Sequence, residues 1–228
     1  MTFALFQNYK ISSAEVSEFQ KSFCSDAVPL LLDHENIISV SLFNPIQAYD
    51  PFVEKDPKPD LIIQISVTDM SALDSIFDNT KTSDTLTTPE SGSATFEIFE
   101  TIAFDIPGIK YPKVRTAPVS YNIRYFPPVE NEKLFRLHYL QRHPPILAEF
   151  EDIRNIFCYI PLEWSHPLGI LKSGCILGNE VVFDSNESLN RSLLSDVRKR
   201  LREDFNSLPV KPGPNTHFAT RRRDFFKN

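Results

Sequence analysis

The stretch LFRLHYLQRHPPILAEFEDIRNIFCYIP, residues 134–161, aligns without a gap on residues 18–45, EFQKSFCSDAVPLLLDHENIISVSLFNP, which lie 116 positions earlier. Six of the 28 aligned positions are identical: Phe19/Phe135, Pro29/Pro145, Leu31/Leu147, Glu35/Glu151, Ile37/Ile153 and Pro45/Pro161. Six identities alone carry little weight, so the alignment is tested by the order of the elements around it. The alignment predicts that the two halves share one fold.

Hydrophobic periodicity predicts the same order of elements in both halves. The first half has strand patterns at 3–9, 37–43, 61–67 and 94–104 and helix patterns at 12–23 and 71–77. The second half has strand patterns at 119–126, 155–161, 176–183 and 216–226 and helix patterns at 131–142 and 187–205. The predicted order of elements in each half is therefore βαββαβ.

The last predicted helix has a regular apolar stripe. Its members are four residues apart: Leu189, Leu193, Val197, Leu201 and Phe205. Side chains at this spacing lie on one face of a helix, so we expect the stripe to pack on the core. We expect the basic residues between them to form a solvated outer face; they are Arg198, Lys199, Arg200 and Arg202.

A βαββαβ unit forms a four-stranded antiparallel sheet with two helices on one face, the ferredoxin-like arrangement. The other face of the sheet must also be covered. Two units in one chain can pack these faces together or close their sheets into one barrel. We therefore expect an α+β protein with two tandem ferredoxin-like repeats, residues 1–106 and 119–228, joined by a linker with three prolines, residues 107–118.

Charge is distributed unevenly along the chain. The net charge is −6, which argues against a nucleic-acid partner. Residues 1–114 hold 7 basic and 17 acidic side chains, whereas residues 115–228 hold 17 basic and 13 acidic. Opposite net charges suit two halves that dock on each other, and a solvated surface explains the same counts equally well.

The apolar runs and the cysteines of the chain indicate its cellular compartment. No window approaches the ~20 apolar residues that span a bilayer, and the N-terminal stretch lacks the pattern of a secretory signal, so we expect no membrane partner. The three cysteines lack metal-ligand spacing and are expected to be buried free thiols: Cys24, Cys158 and Cys175. Together these features predict a cytoplasmic protein.

The second half resembles the EthD family of the dimeric α+β barrel superfamily, in which a helix carries an aromatic residue and a His-x-Pro motif. His143 to Pro145 match that motif, and Phe135 and Tyr139 fall where the family has aromatic residues. The stretch EVVFDSNESLNRSLLSDVRKRLREDF, residues 180–205, is similar to the family's third strand and second helix. The resemblance covers residues 119–226, and in the first half it extends only to the outline and to residues 58–75.

The resemblance implies an intramolecular dimeric α+β barrel in a monomer. Members of the superfamily include cofactor-independent enzymes that act on aromatic or polyketide-like compounds, haem enzymes, and proteins without known activity. We therefore expect a small aromatic or polyketide-like ligand and, if the protein is an enzyme, cofactor-free decarboxylation, dehydration, cyclisation or oxygenation. A non-catalytic binding or structural module is the alternative, and a haem-binding protein is a further one.

His143 is the candidate catalytic residue. It precedes Pro144, and residues before proline are biased away from the α region, so we expect the helix to break there and turn the ring towards a cavity. Imidazole, with an ordinary pKa near 6.5, suits general acid or base catalysis at neutral pH. The first half has Ala27 at the equivalent position, so only the second half can hold such a site. A surface or helix-capping histidine is the alternative.

Three residues are candidate partners of His143. His138 lies five positions earlier, about 140° round the helix, which disfavours a two-histidine metal site. His217 lies in the last predicted strand and converges with His143 if its face points to the cavity; a histidine satisfied within the sheet is the alternative. Tyr125 is the third candidate, and strand alternation places it opposite Arg124.

Arg124 and Trp164 complete the candidate binding residues. Arg124 lies on a strand face whose direction the sequence leaves open. Trp164 follows a predicted strand and would cover a flat ligand, although packing over the barrel end is the more common role. The sequence contains none of the glycine-rich phosphate loops, Cys-x-x-Cys pairs or Gly-x-Ser-x-Gly motifs, so we expect no metal and no cofactor.

Overall fold

The computed structural model describes residues 2–53, 58–86, 92–111, 113–164 and 171–227. Its strands are β1 Thr2–Lys10, β2 Ile37–Ile46, β3 Leu61–Val67, β4 Ser93–Phe104, β5 Val119–Tyr125, β6 Ile153–Pro161, β7 Leu177–Phe183 and β8 Asn215–Phe226. Its helices are α1 Ser13–Ser22, α2 Val28–Asp33, α3 Ser71–Asp78, α4 Thr80–Thr85, α5 Glu132–Leu147, α6 Asn186–Leu193 and α7 Asp196–Ser207. A π-helical stretch, Phe23–Ala27, joins α1 to α2.

The eight strands close into one antiparallel barrel in the order β1-β3-β2-β8-β5-β7-β6-β4. β1 to β4 are neighbours in the order β4-β1-β3-β2, and β5 to β8 follow the corresponding order β8-β5-β7-β6. Two seams, β2 with β8 and β4 with β6, join the halves. The predicted α+β class is confirmed, and the two sheets form a continuous barrel that leaves no open strand edge.

One irregularity recurs in both halves. The pairing of β2 with β3 shifts register between Ile37 and Ser39, and the pairing of β6 with β7 shifts between Ile153 and Asn155. Both shifts lie at the first residues of their strands, and they are 116 positions apart. This is the spacing at which the sequence aligns on itself.

All eight predicted strands are present, whereas the helices differ from prediction. The predicted helix at 12–23 continues through the π-helical stretch into α2, and α4 was not predicted. The predicted helix at 187–205 is two helices, because Ser195 is extended and its hydroxyl donates to Ser192 O. Pro112, one of the linker prolines, lies outside the described residues.

Apolar side chains pack in three layers. The first layer lies between the outer face of the first-half sheet and α1 to α4, and the second lies between the second-half sheet and α5 to α7. The third fills the barrel with aromatic side chains: Phe6, Phe43, Phe99, Phe157, Tyr159 and Phe218. The barrel interior is therefore a packed core.

A charged network fills one end of the barrel. Glu180 is fully buried and accepts from Arg115 Nη2 at 2.9 Å and from Ser120 Oγ at 2.6 Å. Arg222 lies 3.4 Å from the same carboxylate and also donates to Ala117 O. Because Arg115 and Ala117 belong to the predicted linker, this segment helps to close the barrel.

Cys158 and Cys175 are buried as predicted, and Cys24 is half-buried. All three thiols are free. Within the described ranges, no helix has the length and apolar character needed to cross a membrane.

Candidate functional site

A cavity of about 50 Å³ lies between α5 to α7 and the outer face of the second-half sheet. Its polar lining residues are Tyr121, Tyr125, His143, Asn179, Arg198, Arg202, Asn215 and His217. Apolar side chains such as Leu147, Phe150 and Leu201 complete the wall. The cavity therefore lies outside the barrel, on the helix-covered face of β5, β7 and β8.

α5 carries His143 into this cavity. Asn131 caps the helix by accepting the Leu134 N–H at 3.0 Å. Phe135, Tyr139 and His143 are spaced four residues apart, so they share one face, and all three are buried. Tyr139 and His143 stack with ring centroids 4.5 Å apart.

The prediction that the helix breaks at His143 is wrong. α5 continues through Pro144 and Pro145 to Leu147, and Ala148 N–H donates to Pro144 O at 3.0 Å. Each proline removes one backbone donor, and because both lie within the last four residues of α5, the helix is disturbed only at its end. The ring is therefore buried by its position on the helix face that carries Phe135 and Tyr139.

Asp204 on α7 fixes the orientation of the His143 ring. His143 Nδ1 lies 3.0 Å from Asp204 Oδ2, and Arg142 Nε lies 3.0 Å from Asp204 Oδ1. The hydrogen bond to His143 lowers the pKa of Asp204, so this carboxylate is ionised and can only accept. His143 therefore donates its Nδ1–H and retains the lone pair on Nε2.

Burial keeps His143 neutral. It lowers the pKa of the imidazole, and the nearby Asp204 carboxylate only partly offsets this effect. At neutral pH the ring is therefore available to accept a proton. Asp204 can then stabilise the imidazolium that forms.

His217 lies in the same cavity. Strand alternation places it on the outer face of β8, and its Nε2 donates to Asn215 Oδ1 at 3.0 Å. Burial and the nearby Arg198 guanidinium lower its pKa, so this ring is also neutral. His143 and His217 therefore line the same cavity.

Asp50 of the first half reaches the surroundings of this site. Asp50 follows β2, and its Oδ2 accepts from Tyr121 OH at 2.9 Å and from Arg198 Nε at 2.9 Å. Asp50 Oδ1 accepts the Phe52 N–H at 2.9 Å, which fixes the loop. A buried ion pair therefore joins the acidic half of the chain to the basic half.

The prediction that Arg198 lies on a solvated helix face is wrong. Lys199, Arg200 and Arg202 are exposed as expected, but Arg198 is buried against Asp50 and Phe52. Arg198 shares a helix face with Leu201 and Phe205, at spacings of three and seven, and this pattern could have identified it. Asp50 and Asp204 contact residues distant in sequence, so local patterns contain no comparable signal for them.

The remaining predicted residues lie in different places. Tyr125 lines the cavity and packs edge-on against Tyr139 with centroids 5.3 Å apart. His138 is half-buried on α5 and does not line this cavity. Arg124 points into the barrel, opposite the cavity. Trp164 packs at a tilt against Phe77, with ring centroids 5.3 Å apart, and its Nε1 donates to Asp74.

Two further polar features limit the chemistry of the site. Asn179 Oδ1 is buried in the cavity wall and has no hydrogen-bond partner among the described residues. In that same part of the chain, no group of three or more His, Cys, Asp and Glu side chains is arranged to hold a metal ion. The polar groups that line the cavity are therefore two neutral histidines, two arginines and several hydrogen-bonding groups.

Comparisons with known proteins identify the fold. No protein-family model matches the sequence, and no curated protein does either. An anthrone oxidase-like protein aligns at 12% identity over 98% of this chain and 92% of its own, with a TM-score of 0.64. A provisionally assigned monooxygenase from Lactobacillus acidophilus NCFM aligns at 8% identity over 100% of this chain and 97% of its own, with a TM-score of 0.60.

An EthD family protein from Bacillus halodurans C-125 also matches, at 22% identity over 45% of this chain and 95% of its own, with a TM-score of 0.36. The two full-length neighbours have dimeric α+β barrels. At these identities the likeness concerns the fold alone. The chain therefore has the dimeric α+β barrel fold, with all eight strands supplied by one polypeptide.

Proposed function

We propose that the cavity around His143 is an active site for cofactor-free acid/base chemistry on a small aromatic or polyketide-like compound. The observation that carries the proposal is a buried, neutral imidazole whose Nδ1 is held 3.0 Å from Asp204. This arrangement leaves Nε2 as a proton acceptor in an apolar setting. A positioned general base of this kind typically contributes ~10²- to 10⁴-fold in rate.

The reaction begins with removal of a proton from carbon next to a carbonyl group. His143 takes the proton, and Asp204 stabilises the resulting imidazolium. Arg198 stabilises the enolate oxygen, while Asp50 holds its guanidinium in place. Asn179 Oδ1 accepts from a hydroxyl group of the substrate. Dehydration and cyclisation can each proceed through such an enolate. Decarboxylation forms the enolate by loss of CO₂ instead, and protonated His143 then returns a proton to the carbon.

The size of the cavity determines how a substrate enters. About 50 Å³ holds roughly one or two water molecules, so the reacting edge fits but an aromatic ring does not. Arg202 is exposed and Phe205 is half-buried, and both line the cavity from α7. We infer that these two side chains move aside to admit the substrate.

We also propose that the halves are tandem ferredoxin-like repeats, residues 1–106 and 119–228. The equivalent strand orders and the register shift that recurs after 116 residues support this proposal. The first repeat then serves as a structural partner that replaces a second subunit. We infer a cytoplasmic monomer with the segment 107–118 as its linker.

A non-catalytic binding or structural module is the second candidate. The barrel interior is filled by aromatic side chains, and the cavity around His143 is small. Haem does not fit this cavity, because ligand pockets for molecules of that size typically need several hundred Å³. We therefore assign no step to haem.

Proton abstraction can be tested without knowing the natural reaction. The protein is incubated in D₂O with 2-tetralone or anthrone, each of which has acidic methylene protons next to an aromatic ring. NMR then follows the loss of the methylene signal. We expect exchange above the buffer rate, and His143→Ala should lower the enzymatic part by about 10²-fold or more.

The matched control is His34→Ala, since His34 lies in the first half and makes a local contact with the Asn36 N–H. This variant should exchange the probes at the wild-type rate. Equal rates in wild type, His143→Ala and buffer, with unchanged melting temperatures, would reject catalysis and favour the binding module. The second candidate is supported if either probe still binds in the cavity.

A further inference from the structure

Arg124 lies at the opposite face of β5 from the His143 cavity. It lines a second cavity of about 180 Å³ at the mouth of the barrel, with Asn8, Lys10, Thr95 and Thr216 among the other lining residues. Its side chain is only 4% exposed. None of the residues that form the proposed active site lines this cavity.

Aromatic rings hold the Arg124 guanidinium in a fixed position. Its central carbon lies 5.0 Å from the centroid of Phe6, 5.6 Å from that of Phe99 and 5.2 Å from that of Tyr159. These distances allow cation–π attraction, which is stronger when the cation is desolvated. Gly178 leaves the necessary space, because a Cβ there would lie 3.0 Å from Arg124 Nη1.

Charge at this mouth is balanced. Arg124 Nε lies 3.5 Å from Glu97 Oε2, an ion-pair distance that is long for a hydrogen bond. Glu97 also accepts from Asn8 Nδ2 at 3.2 Å and from Ser173 Oγ. Lys10 lies 4.0 Å from Asp60, so each cation has a carboxylate nearby.

Hydrogen bonding at this mouth is incomplete. Arg124 Nη1 donates to Ile123 O at 3.1 Å, but Nε and Nη2 have no hydrogen-bond acceptor among the described residues. Buried guanidinium nitrogens without an acceptor are rare in folded proteins, and they mark places where a ligand or ordered water belongs. Because the charges here are already balanced, the ligand that suits these nitrogens is a hydrogen-bond acceptor without a charge of its own.

We propose that the barrel mouth is a second binding site, which takes a small, flat, neutral molecule whose carbonyl oxygen accepts from the Arg124 guanidinium. A cavity of about 150 Å³ binds benzene in another protein, so 180 Å³ suits a single ring with one substituent. Phe126 and Phe218 supply apolar wall for the ring. A carboxylate of the same size is disfavoured because it would face Glu97.

Three probes of similar size separate these features: benzamide, benzoate and benzene. Binding to the full chain is measured by NMR titration, and the position of benzamide is found by crystal soaking. We expect benzamide to bind at least about tenfold more tightly than either other probe, because a hydrogen bond to a charged group contributes this much. Its oxygen should lie within hydrogen-bonding distance of Arg124.

Two variants test the site independently. Arg124→Met removes the donors, and Thr216→Phe fills the mouth from the residue paired with Arg124 in the sheet. Thr101→Phe is the matched control because Thr101 lines a cavity at the other end of the barrel. The first two should lose at least about tenfold in benzamide affinity, and the control should retain wild-type affinity. Thr216→Phe remains informative if Arg124→Met does not fold.

Several results would overturn the proposal. They are an ordered water alone at Arg124 in benzamide-soaked crystals, benzoate binding as tightly as benzamide, and benzamide found only beside His143. Retained affinity in Thr216→Phe would also reject it. Because the two sites share no lining residue, the exchange experiment at His143 is independent of every one of these outcomes.

Discussion

Buried titratable side chains differ in how completely their partners satisfy them. Glu180 is surrounded by donors from Arg115, Ser120 and Arg222, so its ionised form is stabilised inside the barrel. His143 has one strong partner, Asp204, which engages its Nδ1 and leaves the lone pair on Nε2. The contrast separates a structural network from a candidate site, although both are buried.

Replacing Glu180 by Gln tests the structural network. The variant leaves two buried guanidinium groups without their common counter-charge, so it should lose about 3–5 kcal/mol in the free energy of unfolding. Chemical denaturation at pH 7 measures this loss. Asp184→Asn is the matched control, since Asp184 pairs with Arg154 at the surface and its loss should cost less than about 1 kcal/mol.

The same network predicts a pH dependence. Burial alone would raise the pKa of Glu180, but the Arg115 and Arg222 guanidinium groups outweigh it and lower the pKa to about 2 from an ordinary 4.5. A depressed pKa stabilises the fold above pH 4.5, and this contribution is lost as the pH falls towards 2. The stability difference between wild type and Glu180→Gln should therefore shrink over this window. A difference that stays constant would contradict the assignment.

The strands were more predictable from sequence than the helices. β3 has its predicted bounds because four of the seven residues of Leu61–Val67 are β-branched. The end of α5 differs from prediction because the bias of a pre-proline residue against the α region is only a tendency, and here the helix continues for four residues past His143. The cavity could not be predicted, because the alternation of residues along β5 and β8 does not show which face of each strand points towards the helices.

Helix caps predict a measurable difference between two serines. Ser185 accepts the Ser188 N–H at 3.2 Å and caps α6, whereas Ser12 precedes α1 without a side-chain cap bond. Ser185→Ala should therefore cost about 1 kcal/mol. Ser12→Ala is the matched control and should cost only a few tenths of that amount. Equal losses in the two variants, measured by denaturation, would contradict the cap assignment.

The whole molecule depends on contacts between its halves. Strand seams close the barrel, and Asp50 reaches from the first half to Tyr121 and Arg198 in the second. The uneven distribution of charge along the sequence is consistent with this contact. The sequence could not identify Asp50 itself, because its partners lie 71 and 148 residues away.

Asp50→Ala should lower the stability of both halves together. The substitution leaves Arg198 buried without its counter-charge, so the free energy of unfolding should fall by about 3–5 kcal/mol in one cooperative transition. Asp33→Ala, at an exposed position at the end of α2, is the matched control and should change it by less than about 0.5 kcal/mol. Two separate transitions in the wild type would instead show that the halves unfold independently.

The proposed active site requires His143 to be a buried, neutral base oriented by Asp204. The most direct test is ¹H–¹⁵N correlation NMR of protein labelled at histidine, with His143 assigned through His143→Asn. We predict a neutral ring at pH 7 with the proton on Nδ1 and a pKa below 6.5, and the Nδ1–H signal should shift in Asp204→Asn. A protonated ring at pH 7, or a neutral ring with its proton on Nε2, would contradict the account.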